Sequence, residues 1–172
     1  MKSELGTGFR FPTLTELYFD GETPRGTTIG NTFLNPEKSI GIQLSLAYKL
    51  VKNINVKLNS YHYNLDNYIE RYSVEKEIKS YRNLDSAYIE GFDLSLNWRL
   101  SDMLHQSLSY QWQRGKDNNQ DVLADLNPNK WLWQTIWQND RLSINNNLSY
   151  QLVKANVGSG EQITPAVLLW SL

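Results

Sequence analysis

Cysteine is absent from the 172 residues, so disulfides, thiolate metal sites and a cysteine nucleophile are excluded. An excess of one charge is absent as well. Lys and Arg total 17, Asp and Glu total 18, and the net charge is −1. No basic stripe is visible, which argues against a nucleic-acid partner. No stretch approaches the roughly 18 apolar residues that a membrane helix needs. The opening MKSELGTGFR has no apolar segment of the kind a signal peptide carries. If the protein is exported, its export signal is expected upstream of Met1.

Catalytic and metal-binding sets are missing too. The two histidines, His62 and His105, fall in separate predicted strands with no serine or cysteine elbow nearby. Asp117, Asn119 and Asp121 have the spacing of a calcium loop, but Val122 stands where that loop needs glycine and Pro128 where it needs glutamate. Gly6-Thr7-Gly8 lacks the third glycine and following helix of a dinucleotide loop. The expectation is no enzyme, no metal site and no cofactor.

What the chain does have is aromatic residues and alternation. Aromatics make up 12%, with six tryptophans, although the mean hydropathy is −0.53. Ile42, Leu44, Leu46, Tyr48 and Leu50 alternate with Gln43, Ser45, Ala47 and Lys49. Phe92, Leu94, Leu96, Trp98 and Leu100 do so with Asp93, Ser95, Asn97 and Arg99. The same period of two recurs around Leu108-Trp112, Trp131-Trp137 and Leu142-Leu152, with Asn146 out of phase. This is the pattern of strands with one apolar and one polar face. In the strand that opens at Ile54, the apolar phase slips from Leu58 to Tyr61, which predicts a bulge near Asn59-Ser60.

Connections alternate between short and long. Tight turns fall near Lys52, Asp102 and Asp140, and extended ones near 12–39, 72–85, 116–130 and 155–165. Outer-membrane barrels have that asymmetry, and their strands combine a greasy lipid face with a polar interior. On alternation alone, a soluble antiparallel sandwich with one packed face also remains open. Trp98, Trp112, Trp131 and Trp133 share the apolar phase, which suits an interfacial aromatic girdle better than stacking on a sugar or other aromatic ligand.

Several boxes carry a resemblance. Gly6-Thr7-Gly8-Phe9-Arg10-Phe11-Pro12-Thr13-Leu14, followed by Glu16-Leu17-Tyr18, resembles the "GFRAPTL-ELY" segment of TonB-dependent outer-membrane receptors. Gly30-Asn31, Leu34 and Asn35-Pro36-Glu37-Lys38-Ser39 resemble the "GNPxLxPEKS" box that follows it in that family. Asn67-Tyr68-Ile69 is similar to a family strand end, and Tyr81-Arg82-Asn83 through Ile89-Glu90-Gly91-Phe92 to a family strand start. Phe11 replaces the usual Ala, and Asp93 the usual Glu.

The resemblance implies an all-β fold: an antiparallel meander of about eight strands, residues 1–172 forming an incomplete arc of a roughly 22-stranded transmembrane β-barrel. No segment resembles the family's plug domain. It also implies partners, namely outer-membrane lipid, the TonB complex reached through the missing plug region, and a small-molecule ligand such as a metal chelate. A ferric siderophore is the ligand expected. Haem is disfavoured, because family haem receptors carry a histidine between the first two boxes and this chain has none there. Ligand contacts are expected in the long loops and upper interior, with Arg10, Tyr18, Arg25, Arg71, Tyr81, Arg82 and Arg114 as candidates; arginine forks suit an anionic chelate. The alternative function is a self-contained eight-stranded outer-membrane barrel with an adhesive or structural role.

Overall fold

In a computed structural model, which describes residues 1–24 and 26–172, the chain forms one antiparallel meander. The strands are β1 (Lys2–Arg10), β2 (Asp20–Thr23), β3 (Gly26–Ile29), β4 (Glu37–Val51), β5 (Ile54–Glu75), β6 (Ile78–Arg99), β7 (Leu104–Asp117), β8 (Lys130–Gln138), β9 (Ser143–Gln151) and β10 (Val167–Ser171), with one helical turn, α1 (Leu14–Tyr18). The main path runs β1-β4-β5-β6-β7-β8-β9-β10, the eight strands expected, and β2 and β3 lie off it. The two end strands, β1 and β10, do not pair with each other, so the sheet is an open arc and not a closed eight-stranded barrel.

The register shows what the alternation builds. Leu46, Leu58, Leu94, Tyr110, Trp131, Tyr150 and Leu168 stand side by side across seven strands. The next rung toward the tight turns is Tyr48, Val56, Leu96, Leu108, Trp133, Leu148 and Trp170. On the opposite face the corresponding rung reads Ser45, Asn59, Asp93, Gln111, Lys130 and Gln151. No second layer covers the apolar rungs; Leu94, Trp131, Trp133 and Leu168 are all exposed. A soluble sandwich would have buried that face. An uncovered apolar band flanked by aromatic rings is the outer surface of a membrane barrel.

The rings sit at both borders of the band. Phe92 stacks on Trp112 with centroids 5.6 Å apart, and Tyr110 meets Trp131 at 4.5 Å. Trp98 and Trp137 lie toward the tight turns. Asn146, out of phase in the sequence, now has a reason. Gln106, Thr135 and Asn146 form a polar rung on the outer face. Gln106 Oε1 accepts from the Trp133 indole at 3.3 Å, and Asn146 Oδ1 from the Trp170 indole. An indole N–H facing hydrocarbon needs such an acceptor.

Two expectations are corrected. The bulge near Asn59-Ser60 is absent, since β5 keeps one register with β4 from Leu58 to Asp66. The phase slip has another cause. Above the rings, the outer face turns polar (Ser60, His62, Asn64) and the inner face turns apolar (Tyr61, Tyr63, Leu65). Tyr63 lies flat over Gly41, where a Cβ would meet its ring at 2.1 Å. The second correction concerns 72–85, which is not a loop. β5 and β6 continue to a turn at Lys76-Glu77, where Glu77 takes φ 67°. Each strand has 22 residues. That is roughly 70 Å of strand, where about 9–11 residues suffice to cross a membrane. Once both faces are in water, period-2 hydrophobicity no longer marks a strand.

A lysine placed in the middle of the apolar band has no partner there. Leu96→Lys is expected to destabilise the full-length protein in lipid vesicles by about 2–4 kcal/mol, against under about 1 kcal/mol for Ser95→Lys on the polar face. Denaturant unfolding of the two variants checks this; equal losses would contradict the assignment of faces.

Candidate functional site

The β5–β6 hairpin projects beyond the rings and carries the other connections. The segment between β1 and β4 does not stay beside its own strands. Its β3 pairs in parallel with β6, Thr27 to Ile78 and Ile29 to Ser80, along the edge that β7 leaves free beyond Asp117. Gly26 has φ 101°, and a Cβ there would meet the Glu77 carbonyl at 2.3 Å, so only glycine fits where this strand begins. Asn31 Nδ2 then donates to the Tyr81 carbonyl at 2.9 Å, and Asn35 exchanges hydrogen bonds with the Asn83 side chain at 2.8 and 3.0 Å.

The two boxes noted in the sequence meet at Arg10. Its guanidinium forks onto Glu37 through Nε at 2.7 Å and one Nη at 2.8 Å, while the other Nη reaches both Glu16 oxygens at 3.0 and 2.9 Å. Glu37 also accepts from the Ile69 amide at 2.6 Å, capping β5 where β4 ends. Glu16 closes a capping box with Thr13 at the start of α1. Burial would raise the Glu16 carboxyl, but the Thr13 amide and the Arg10 guanidinium outweigh it and hold the group below the ordinary carboxylate range.

The two later loops fold against the same hairpin. Leu123 is fully buried, with Ala124 beside it, and Leu123 Cδ1 lies against Gly115. Asp117, itself buried, accepts from the Asn119 and Asp121 amides at 2.9 Å each. The calcium-like spacing therefore serves a turn. Glu161 joins the loops. It accepts from Lys154 Nζ at 2.8 and 2.7 Å, from the Gly158 amide at 2.8 Å and from the Asp125 amide at 2.9 Å. Asp125 in turn accepts from Arg71 at 3.1 Å, and Lys79 donates to the Gly160 carbonyl at 3.3 Å. Burial opposes the charge on Glu161, yet the Lys154 ammonium and the two amides win and hold its carboxyl below the usual range.

The predicted ligand contacts separate into groups. Arg71, Tyr81 and Arg82 all lie on the hairpin, but on two faces: Arg71 stands directly opposite Tyr81, and Arg82 opposite Glu70 on the other side of the ribbon. Arg82 donates to Glu70 Oε2 through Nε at 3.1 Å and one Nη at 2.8 Å, and lies 4.7 Å over the Tyr72 ring. Tyr18 ends α1 with its ring exposed. Arg10 is held by two carboxylates. Arg114 does not join the interior group, because it shares the outer face of β7 with Tyr110 and Trp112. Arg25 lies outside the described residues. The hub residues Glu161 and Asp125, and the buried Leu123, were missed. No sequence pattern marks them, since the contacts that join the loops, Asp125 to Glu161 and to Arg71, span 36 and 54 positions.

Two outcomes follow for these ties. Arg10→Gln leaves Glu16 and Glu37 facing each other and is expected to cost about 1–3 kcal/mol in unfolding of the full-length protein, with Glu37→Gln recovering part of it in the double variant. For Glu161, the depressed carboxyl means the loop tie is complete at neutral pH, persists above the unfolded value near about 4.3, and is lost as pH falls through the lower folded value. Nitroxide labels at Lys76→Cys and Ser159→Cys should show a narrow distance distribution at pH 7 that broadens on acidification. Glu161→Gln should broaden it already at pH 7; an unchanged distribution would refute the hub.

The comparisons agree with this geometry. The family profile described as "TonB dependent receptor-like, beta-barrel" matches residues 4–172. The iron-regulated outer membrane virulence protein of Vibrio cholerae serotype O1 is 28% identical over 170 residues, 88% of this chain and 26% of that protein. The copper transporter OprC has a TM-score of 0.81 at 17% identity, covering 98% of this chain and 28% of that one. A variant of the ferric enterobactin receptor PfeA from Pseudomonas aeruginosa, in complex with enterobactin, has a TM-score of 0.70 at 18% identity over 98% of this chain and 29% of its own. The siderophore receptor PirA from Acinetobacter baumannii gives 0.67 at 15% identity, over 98% and 31%. At such identities the solved structures show the fold alone. The chain spans about a quarter of the length of the curated relatives it matches, 26%. The profile match and the uncovered apolar band put this segment in the bacterial outer membrane, and the chain belongs to the TonB-dependent receptor family as part of its β-barrel.

Proposed function

We propose that the protein carrying this segment takes up a ferric siderophore across the outer membrane, using energy delivered by the TonB complex through a plug region outside these 172 residues. The observation that carries the ligand class is the pair of arginine–tyrosine sets on the hairpin, Arg71 opposite Tyr81 on one face and Arg82 over Tyr72 on the other. Arg71 uses one Nη for Asp125, and Arg82 uses Nε and one Nη for Glu70, so each guanidinium keeps N–H donors for an anionic group. Iron chelates of the catecholate, hydroxamate and carboxylate kinds present charged or strongly polar oxygens, which such forks match. Support also comes from the relatives: an iron-regulated protein and receptors for enterobactin and other siderophores. Tyr18 and the residue at position 25 are proposed as secondary contacts. Arg10 is proposed to hold the first connection in place for that contact.

The test is uptake of radioactive iron by a strain whose only receptor gene is the one encoding this segment. Supply of iron as an anionic siderophore should restore growth under iron limitation. Arg71→Gln with Arg82→Gln should weaken siderophore binding by about tenfold or more, since each lost charged hydrogen bond is worth about 1.5–3 kcal/mol. Uptake of a copper complex or of cobalamin in place of iron would overturn the reading.

A further inference from the structure

The outer face above the aromatic rings carries a charged group that the transport reading does not use. Going up β7 from the apolar band, the outward positions are Tyr110, Trp112, Arg114 and Lys116. Their neighbours on β6 are Leu94, Phe92, Glu90 and Tyr88. A strand that is apolar, then aromatic, then cationic on one face crosses from acyl chains into the headgroup layer.

Arg114 is held in a particular way. Its Nε donates to Glu90 Oε1 at 2.5 Å, and its guanidinium lies 5.5 Å from the Trp112 ring centre. The other Glu90 oxygen is in contact with His62 Nδ1 at 3.1 Å, and His62 stacks on Tyr88. Both carboxylate oxygens are thus occupied, and the two Nη groups of Arg114 have no protein acceptor among the described residues. The Arg114 side chain is 55% exposed. Lys116 stands two positions further up the same face, roughly 7 Å away along the strand. Among the described residues its ammonium has only the neutral Gln120 amide oxygen, at 3.3 Å. The other charges on this face, Lys38 and Asp66, stand opposite each other one rung higher and offset one another. The patch is therefore cationic, with one guanidinium edge and one ammonium turned outward.

We propose that Arg114 and Lys116 bind a phosphate group of an outer-leaflet lipid, with Trp112 against the first part of its acyl or sugar portion. The fork of Arg114 supplies two parallel N–H donors, Lys116 adds a second positive charge, and Glu90 with Trp112 fixes the fork in place. Height decides the occupant: the pair sits one and two rungs above Trp112 and Phe92, where lipid phosphates lie.

The experiment uses the full-length receptor in nanodiscs, with retained lipid counted by native mass spectrometry. A bis-phosphorylated glycolipid should be retained about tenfold more than the same glycolipid after phosphatase treatment, a comparison that needs no variant. Arg114→Gln with Lys116→Gln should abolish the preference. Lys57→Gln with Lys130→Gln, on the inner face, should leave it intact. Equal retention of the two glycolipids, or an unchanged preference in the Arg114/Lys116 variant, would overturn the proposal. Inorganic phosphate at millimolar concentration should not displace the glycolipid; full displacement would mean a site for free phosphate and would also overturn it.

Discussion

The solvent against the outer face changes partway along every long strand, and the rest of the structure follows from that change. Below the Phe92–Trp112 rung the outer face meets acyl chains, which offer no hydrogen bonds. The strands answer with Leu94, Leu96, Leu108 and Leu148, and in the polar rung toward the tight turns Gln106 and Asn146 serve as acceptors for two indoles. Above that rung the outer face meets headgroups and water, and Glu90, Arg114 and Lys116 appear. The inner face makes the opposite change. It is polar beside the band, at Asn59, Asp93 and Gln111, and becomes apolar where Tyr63, Leu65, Ile89 and Ala87 support the folded loops. The backbone does not kink to achieve this. Side-chain chemistry switches while the register holds.

The β5–β6 hairpin converts that switch into a scaffold. A two-stranded ribbon outside the membrane is marginal by itself. Here its free edge on the β7 side is taken by β3, its edge on the β4 side is capped by Glu37, and its faces receive Leu34, Leu123 and Ala124. The small buried set joins Leu34, Leu123 and Ala124 of the loops to Ile69 of β5 and Ala87 of β6, at the end of the sheet beyond the apolar band. The barrel wall thus needs no core of its own, and the apolar packing that does occur is concentrated where the loops meet the β5–β6 hairpin.

Legibility in the sequence followed the same border. β4, the lower halves of β5 and β6, and β7 to β9 were readable because one of their faces is greasy and the other wet. The upper hairpin was not, because around Glu70, Arg71, Ser73, Lys79 and Arg82 neither face meets lipid and loops cover part of the strands, so alternation carries no information. The slip at Tyr61 was read as a bulge for the same reason; a real change in surroundings imitated a change in register. β2 and β3, four residues each, are too short for any periodicity. At the site, the boxes around Arg10 and Asn35-Glu37 pointed to the right connection, but their role as a clamp needed the fold to bring Glu16 and Glu37 onto one guanidinium. Glu161 had no signal, since its role rests on joining Lys154 and Gly158 of its own loop to Asp125 of another.

Whether these ties stabilise the protein or only shape it can be decided by what surrounds them. An exposed ion pair contributes about 0–1 kcal/mol, because water already solvates both charges. The Arg71–Asp125 pair, with Asp125 more than half exposed, belongs to that class. Glu161 differs: two backbone amides and an ammonium converge on it, and both it and Lys154 are mostly shielded. Backbone amides cannot swing away as long side chains do, so the carboxylate fixes the relative position of two loops and not merely two tips. A wall set in advance loses little freedom when a ligand arrives, and less of the contact energy is then consumed in ordering it. The Glu161 network holds the two later loops in one arrangement, with Asp125 against Arg71, and the sheet below supplies the rigidity on which that arrangement stands.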